Sequence, residues 1–166
     1  MRDNLYHLMP MLDDFDLRIL SALQEDARIP AETLAERVGL SAPACYRRVR
    51  ALRASGAIER EVALVAPKTM GWGIIMIVLV TLERDRGRIV DDLIRSLKAA
   101  PEVIDVWYVT GDSDLVLQVV AQDMAAYDDF TRTTLHAEEH VRSFTTLVVM
   151  NHAKRTAAVP PTTSTS

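Results

Sequence analysis

The sequence has a single cysteine, Cys45, which excludes an internal disulfide framework and a multi-cysteine zinc site and fits a reducing compartment. It also lacks an excess of positive charge. With 19 Lys and Arg against 23 Asp and Glu, the net charge is −4, so any attraction to nucleic acid has to come from a local patch. Long apolar runs are missing as well: the longest, Ile74 to Leu82, is far too short to span a bilayer and ends at Glu83 and Arg84. The opening residues lack the charged-then-apolar layout of a secretory signal, since Asp13, Asp14 and Asp16 follow Met11 and Leu12. A cytoplasmic protein with no membrane partner is expected. No nucleophile triad, phosphate loop, internal repeat or pair of carboxylates in a recognisable pocket emerges from the residues, so neither an enzyme nor a bound cofactor is expected.

Of the 166 residues, 49% are hydrophobic and 25% charged, a balance that buries a real core and leaves room for two small domains. Phe15, Ile19, Leu20 and Leu23 recur at helical spacing behind an acidic start, giving a first helix over 13–25. A second runs from about Pro30 to Val38 with Leu34, Ala35 and Val38 inward, and Gly39 supplies a left-handed stop. Ser41 is expected to cap a third, with Pro43 tolerated in its first turn. In this third helix Cys45, Val49 and Leu52 form one apolar stripe, which leaves Arg47, Arg48, Arg50 and Arg53 to other faces. Gly56 ends it, and IEREVALV behind it reads as a short strand pair or an extended wing.

From residue 74 the hydrophobic period changes. IIMIVLVTL reads as a strand, GRIVDDLIRSLKAA as a helix with Ile89, Leu93, Ile94 and Leu97 inward, VIDVWYVT and LVLQVVA as strands, 124–136 as a helix and VRSFTTLVVM as a strand. The order βαββαβ is the ferredoxin-like split arrangement, with both helices on one sheet face and the other face in need of a cover, usually a partner subunit. PKTMGWG, residues 67–73, reads as a hinge, and VPPTTSTS as a disordered tail.

Three short helices, the last carrying four arginines and no acid over 41–54, form a helix-turn-helix able to place its third helix in a DNA major groove. The plain alternative for such a run is a solvated helix face, but the turn, the cap position and both preceding helices agree with the DNA reading. Ser41, Ala42, Ala44 and Tyr46 are the candidates for base contact, with Arg47 and Arg48 reaching base edges or backbone and Arg50 and Arg53 at phosphates or in water. Gly111-Asp112-Ser113-Asp114 is a turn whose backbone N–H groups suit a carboxylate and whose Asp112 or Asp114 suits an ammonium. From spacing alone it reads as a plain hairpin turn, for which Gly and Asp are the usual residues. His136-Ala-Glu-Glu-His140 fits a His-x-x-Glu-His zinc pattern but has no third carboxylate ligand downstream, and reads as a polar helix end. Cys45 lies on the apolar stripe and reads as a core residue.

VGLSAPACYRRVRALRASGAI, ALVAPKTMG, VTGDSDLVLQV and TLVVM, in that order, resemble the Lrp/AsnC family of feast/famine transcription regulators over Leu12 to about Met150. The resemblance implies an α+β chain: an N-terminal winged helix-turn-helix, a linker strand, and a C-terminal ferredoxin-like βαββαβ (RAM) domain that binds amino acids or related metabolites. It implies homodimers, often gathered into octamers. Carried over by position, Gly111, Asp112 and Asp114 fall on the family's effector loop, and Met124 and Thr146 on positions linked to effector response; Trp107, Tyr108 and Thr110 precede the loop and are candidates to shape its pocket. Trp107 and Tyr108 are equally candidates for packing across a subunit interface. Pro30 and Ala31 depart from the family's Ser or Asn at the second helix, and Ser113 stands where an aromatic is common. The expected division is 1–60 for DNA binding, 61–73 for linker and hinge, 74–152 for effector binding and oligomerisation, and 153–166 for the tail. The expected function is a sequence-specific DNA-binding regulator responding to an amino acid. The competing readings are a ligand-blind DNA-organising protein and an enzyme resembling the siroheme decarboxylases.

Overall fold

A computed structural model describes residues 12–83, 87–156 and 158–162, with the side chains of 87–89 left aside. The described residues divide into two compact units: one holds 12–63 together with 154–156 and 158–162, the other 64–83 and 87–153.

In the first unit, helix α1 spans Asp14–Glu25, α2 Ala31–Val38 and α3 Ala42–Ala54. Helix α1 starts because Asp13 accepts from the Asp16 amide while Asp16 accepts from the Asp13 amide, a capping box that satisfies two otherwise orphaned donors. Helix α2 has no side-chain cap, because Pro30 occupies that position. It ends at Gly39 with φ +76°, and both Gly39 and Leu40 donate to the Ala35 carbonyl. Ser41 is at the start of α3 with extended backbone, but its side chain makes no capping bond, contrary to expectation; Pro43, which has no N–H to satisfy, stands in that first turn. The three helices close over Ile19, Ala22, Leu34, Ala35, Val38, Cys45, Val49 and Leu52. Each large aliphatic in that group contributes about 1.5–3 kcal/mol by leaving water.

The strand pair considered for IEREVALV is not formed. Residues 59–66 belong to neither helix nor strand, and Val62 and Leu64 are exposed. A strand is held by its ladder, and none of the described strands runs beside this segment.

The second unit is built on β1 (Ile74–Leu82), α4 (Gly87–Ala99), β2 (Val103–Tyr108), β3 (Leu115–Ala121), α5 (Met124–Phe130) and β4 (Val141–Val148). The four strands form one antiparallel sheet in the order β2-β3-β1-β4, the split arrangement expected. Met76, Val78, Val80 and Leu82 alternate onto one face of β1 and meet Leu115, Leu117, Val119 and Ala121 of β3 under Leu93 and Leu97 of α4 and Tyr127 and Phe130 of α5. The opposite face carries Ile75, Ile77 and Leu79, paired in register with Val120, Gln118 and Val116, and Leu147 beside Ile77. Ile89, expected inward on α4, is outside the described side chains.

One helix departs from expectation. The helix foreseen to residue 136 is α-helical only to Phe130, then widens into a π turn over Thr131–Leu135 that closes with His136 N–H on the Thr131 carbonyl. Thr131 and Thr133 hydroxyls bond the Asp128 and Asp129 carbonyls and compete for the ladder, while the wider turn brings Leu135 fully inside. Residues 67–73, read as a hinge, hold a one-turn 3-10 helix (Pro67–Met70), and the Gly73 amide bonds the Ala121 carbonyl at 2.9 Å. In the foreseen tail, Val159 is bonded to Gln24 of α1, and Pro161 lines a groove with residues of α1 and α2.

Candidate functional site

Helix α3 divides its surface cleanly. Cys45, Val49 and Leu52 are buried, and burial pushes the Cys45 thiol upward in pKa, so it remains a protonated core group. On the opposite side Pro43, Tyr46, Arg47, Arg50 and Arg53 recur at steps of three and four residues and are all exposed; Tyr46 keeps 68% of its surface in solvent. Ser41 at the helix start is exposed, and Ala42 and Ala44 are half-buried.

The four arginines therefore have three environments. Arg47 and Arg50 have no ion-pair partner among the described residues. Arg53 holds Glu61 at 2.7 Å in an exposed pair. Arg48 turns to α1 and reaches Asp13 and Asp16, each at 2.8 Å, with its guanidinium 5.6 Å from the centroid of the Phe15 ring. The hydrogen bonds that Arg48 donates to Asp16, then to Asp13, raise its pKa further. The Asp16 amide, with Arg48 adding to it, holds the Asp13 carboxyl below the usual carboxylate range. The capping box of the first helix is thus also the anchor of the third, a contact across 32 positions that helix periodicity gave no sign of.

The second constellation begins at the turn between β2 and β3. Gly111 has φ +124°, a conformation that side-chain-bearing residues rarely adopt. The Val109 amide bonds the Asp114 carbonyl, the Asp114 amide bonds Val80, and Asp114 Oδ2 accepts from the Leu82 amide at 2.7 Å. Thr81 Oγ1 donates to the Asp112 carbonyl. Asp114 thereby stitches the turn to the end of β1, and Asp112 and Thr110 are left exposed at its tip. Trp107 and Tyr108 lie just before the turn, 43% and 67% exposed.

Met124 and Thr146 are elsewhere on the sheet. Met124 opens α5, directly after the β3 end that pairs with Ile74, whereas the turn lies at Val80 to Leu82. Six strand residues separate those ends, roughly 20 Å. Thr146 sits midway on β4, opposite Val78, and its Oγ1 is 2.5 Å from the hydroxyl of buried Tyr127. Burial, opposed by the Thr146 bond, raises the Tyr127 pKa and keeps it protonated. Within one chain the eight residues do not form one pocket. Tyr127, absent from the expected set, is the group that fixes Thr146.

His136 lies edge-on to Phe144 with ring centroids 5.0 Å apart, which gives that histidine a packing role. Among the described residues no group of three His, Cys, Asp or Glu side chains is arranged to hold a metal, and no helix is long and apolar enough to cross a membrane.

Residues 12–53 match the AsnC-type helix-turn-helix domain and residues 75–159 the Lrp/AsnC ligand binding domain. An HTH-type transcriptional regulator of Sinorhizobium fredii is 45% identical over 90% of this chain and 88% of its own length. The leucine-responsive regulatory protein of Rhizobium meliloti is 36% identical over 86% and 92%. The crystal structure of a transcriptional regulator in complex with L-Met from Neisseria meningitidis superposes with a TM-score of 0.84 at 31% identity, covering 90% of this chain and 96% of that one.

Proposed function

Because the chain belongs to the Lrp/AsnC family of transcriptional regulators, we propose that it binds double-stranded DNA through α3 and answers to an amino acid or a related small metabolite. The observation that carries this reading is the exposed stripe Pro43, Tyr46, Arg47, Arg50 and Arg53, backed by the buried stripe Cys45, Val49 and Leu52. Such a helix presents guanidinium forks and small residues to a major groove while its other side stays fixed in a core. Ser41, Ala42, Ala44 and Tyr46 meet base edges with Arg47; Arg50 holds phosphate, and Arg53 joins it on release from Glu61. Arg48 acts by positioning the helix.

Two copies place two such helices on a pseudo-palindromic site. The sheet face bearing Ile75, Ile77, Leu79, Val116 and Leu147 supports a homodimer, since a bare antiparallel face of that composition needs a cover, and an octamer follows by further pairing of dimers. An amino acid is held at the Gly111 turn, with its carboxylate on backbone N–H groups and its ammonium at Asp112, since Asp114 is already engaged. Met124 joins Trp107, Tyr108 and Thr110 around that ligand only when a second copy supplies it. The leucine in one relative's name and the L-Met of a related complex support this ligand class. The free, buried Cys45 supports a regulator working in the reducing cytoplasm.

The test is binding to the DNA upstream of the protein's own gene at fixed salt, with each of the twenty amino acids added in turn. Specific binding changed by one of them is the expected result. Binding no tighter than to random DNA sinks the proposal and favours a DNA-organising role; specific binding that no amino acid alters removes the effector half of it.

A further inference from the structure

Residues 154–156 and 158–162 group with the helix-turn-helix unit although the preceding strand, β4, belongs to the other unit. The chain thus passes between the units at Ala63–Leu64 and returns at Ala153–Lys154. What meets the returning segment is specific. The Gln24 side-chain amide on α1 donates through Nε2 to the Val159 carbonyl at 3.0 Å and accepts through Oε1 from the Val159 amide at 2.6 Å. A carboxamide that satisfies both main-chain groups of one residue imitates a strand neighbour. The Val159 side chain points away, 71% exposed, so the recognition is of backbone rather than of side chain. Two residues on, Pro161 forms one wall of an open groove of about 240 Å³ whose other walls include Leu17, Ser21, Ala22 and Val38, with Glu25 and Arg37 at its edge. Glu25 and Arg37 are bonded to each other at 2.6 Å, which ties α1 to α2 there.

We infer that this face of α1 and α2 is a docking site for an extended, proline-containing backbone, and that its occupant is the chain's own segment 158–162, acting as a strap that fastens the end of the chain to the DNA-binding unit. The sequence of the segment suits the role. Pro160 and Pro161 restrict the free segment toward the extended polyproline conformation, which lowers the ordering cost that would otherwise keep a short polar tail undocked. Main-chain hydrogen bonds to an extended segment are how strand-adding peptides are held, and Gln24 reproduces that pairing at Val159. The site is on the side of the unit formed by α1 and α2, so the inference stands independently of whether α3 binds DNA.

Backbone ¹⁵N relaxation of Ala158 and Thr162 in the full chain tests it. Order parameters near about 0.85, as in the folded body, are expected for the native chain, falling below about 0.6 in Gln24→Ala and in Val159→Pro. Both substitutions are at exposed positions; the second removes the N–H that Gln24 accepts from and also fixes φ at 159, so order lost despite the stiffer backbone is the stronger result. Val159→Thr, which keeps that N–H, retains the order. Native values already below about 0.6, or order unchanged in Gln24→Ala, overturn the strap. Order that survives in mixed samples of labelled and unlabelled chains, but with contacts from the tail to α1 of another chain, overturns its assignment within one chain.

Discussion

Arg48 and its neighbours on α3 have the same chemistry and opposite uses. Arg50→Ala is expected to weaken DNA binding across sequences and to lower the slope of log K against log salt by about one, because a guanidinium on phosphate releases about one condensed counterion, whereas Arg47→Ala is expected to relax the preference at the base pair it reads. Arg48→Ala is expected to leave that slope unchanged while lowering the melting temperature of the helix-turn-helix unit, because it strips Asp13 and Asp16 of their shared partner. Titration of DNA at several salt concentrations, beside thermal melting, separates the two. Asp13 gives a second prediction. Its carboxyl is held below the usual range by the Asp16 amide and by Arg48, so its contribution is present above the unfolded carboxylate pKa of about 4 and is lost as pH falls through the lower folded value. Melting of the unit between about pH 5 and pH 2 should therefore show an acid loss that Asp13→Asn, which keeps a capping oxygen, diminishes. The arginine stripe was legible in the sequence because helical spacing alone separates it from Cys45, Val49 and Leu52. The partner of Arg48 was not, since spacing within one helix carries no information about which neighbouring helix a side chain meets.

At the scale of the elements, the helices and strands that form were read almost to their ends, because a period of 3.6 or 2 runs through each, whereas the strand pair read into IEREVALV, which has no such partner ladder, does not form. The π turn was not, as it depends on whether Thr131 and Thr133 hydroxyls divert backbone carbonyls and on Leu135 reaching the core. The same limit hid the tie between α5 and β4. Removing the Tyr127 hydroxyl (Tyr127→Phe) is expected to cost about 1 kcal/mol, and Thr146→Val, which strands that buried hydroxyl, about 1–3 kcal/mol. The double variant should cost less than the sum, and chemical denaturation of the four proteins measures the coupling. The start of β1 gives a steric prediction. A Cβ on Gly73 would meet the Gln122 carbonyl oxygen at 2.3 Å, so Gly73→Ala must shift the strand entry and is expected to destabilise the second unit by about 1–3 kcal/mol in the same assay.

For the whole molecule, two separate cores imply two separable stabilities. Ile19→Ala opens a cavity in the helical core and should cost about 2–5 kcal/mol there. Calorimetry is expected to show the helix-turn-helix transition moving down while that of the sheet unit stays in place. If both move together, the units do not melt as independent bodies. The division into a helical and a ferredoxin-like part was legible in the change of hydrophobic period near residue 74, whereas the attachment of Val159 to Gln24 was not, because a proline-rich polar tail carries no period and its partner lies 135 positions away. Strand β1, finally, lies between β3 and β4 and has no neighbour made before it. On the ribosome its run IIMIVLVTL emerges about 30 residues before β3 begins, which at roughly 5–20 residues per second leaves an adhesive nonapeptide unpaired for seconds in every round of synthesis. The step most exposed to misassembly is therefore the wait of the central strand for its two flanks, and slower translation between codons 83 and 115 lengthens that hazard even though the finished chain is unchanged.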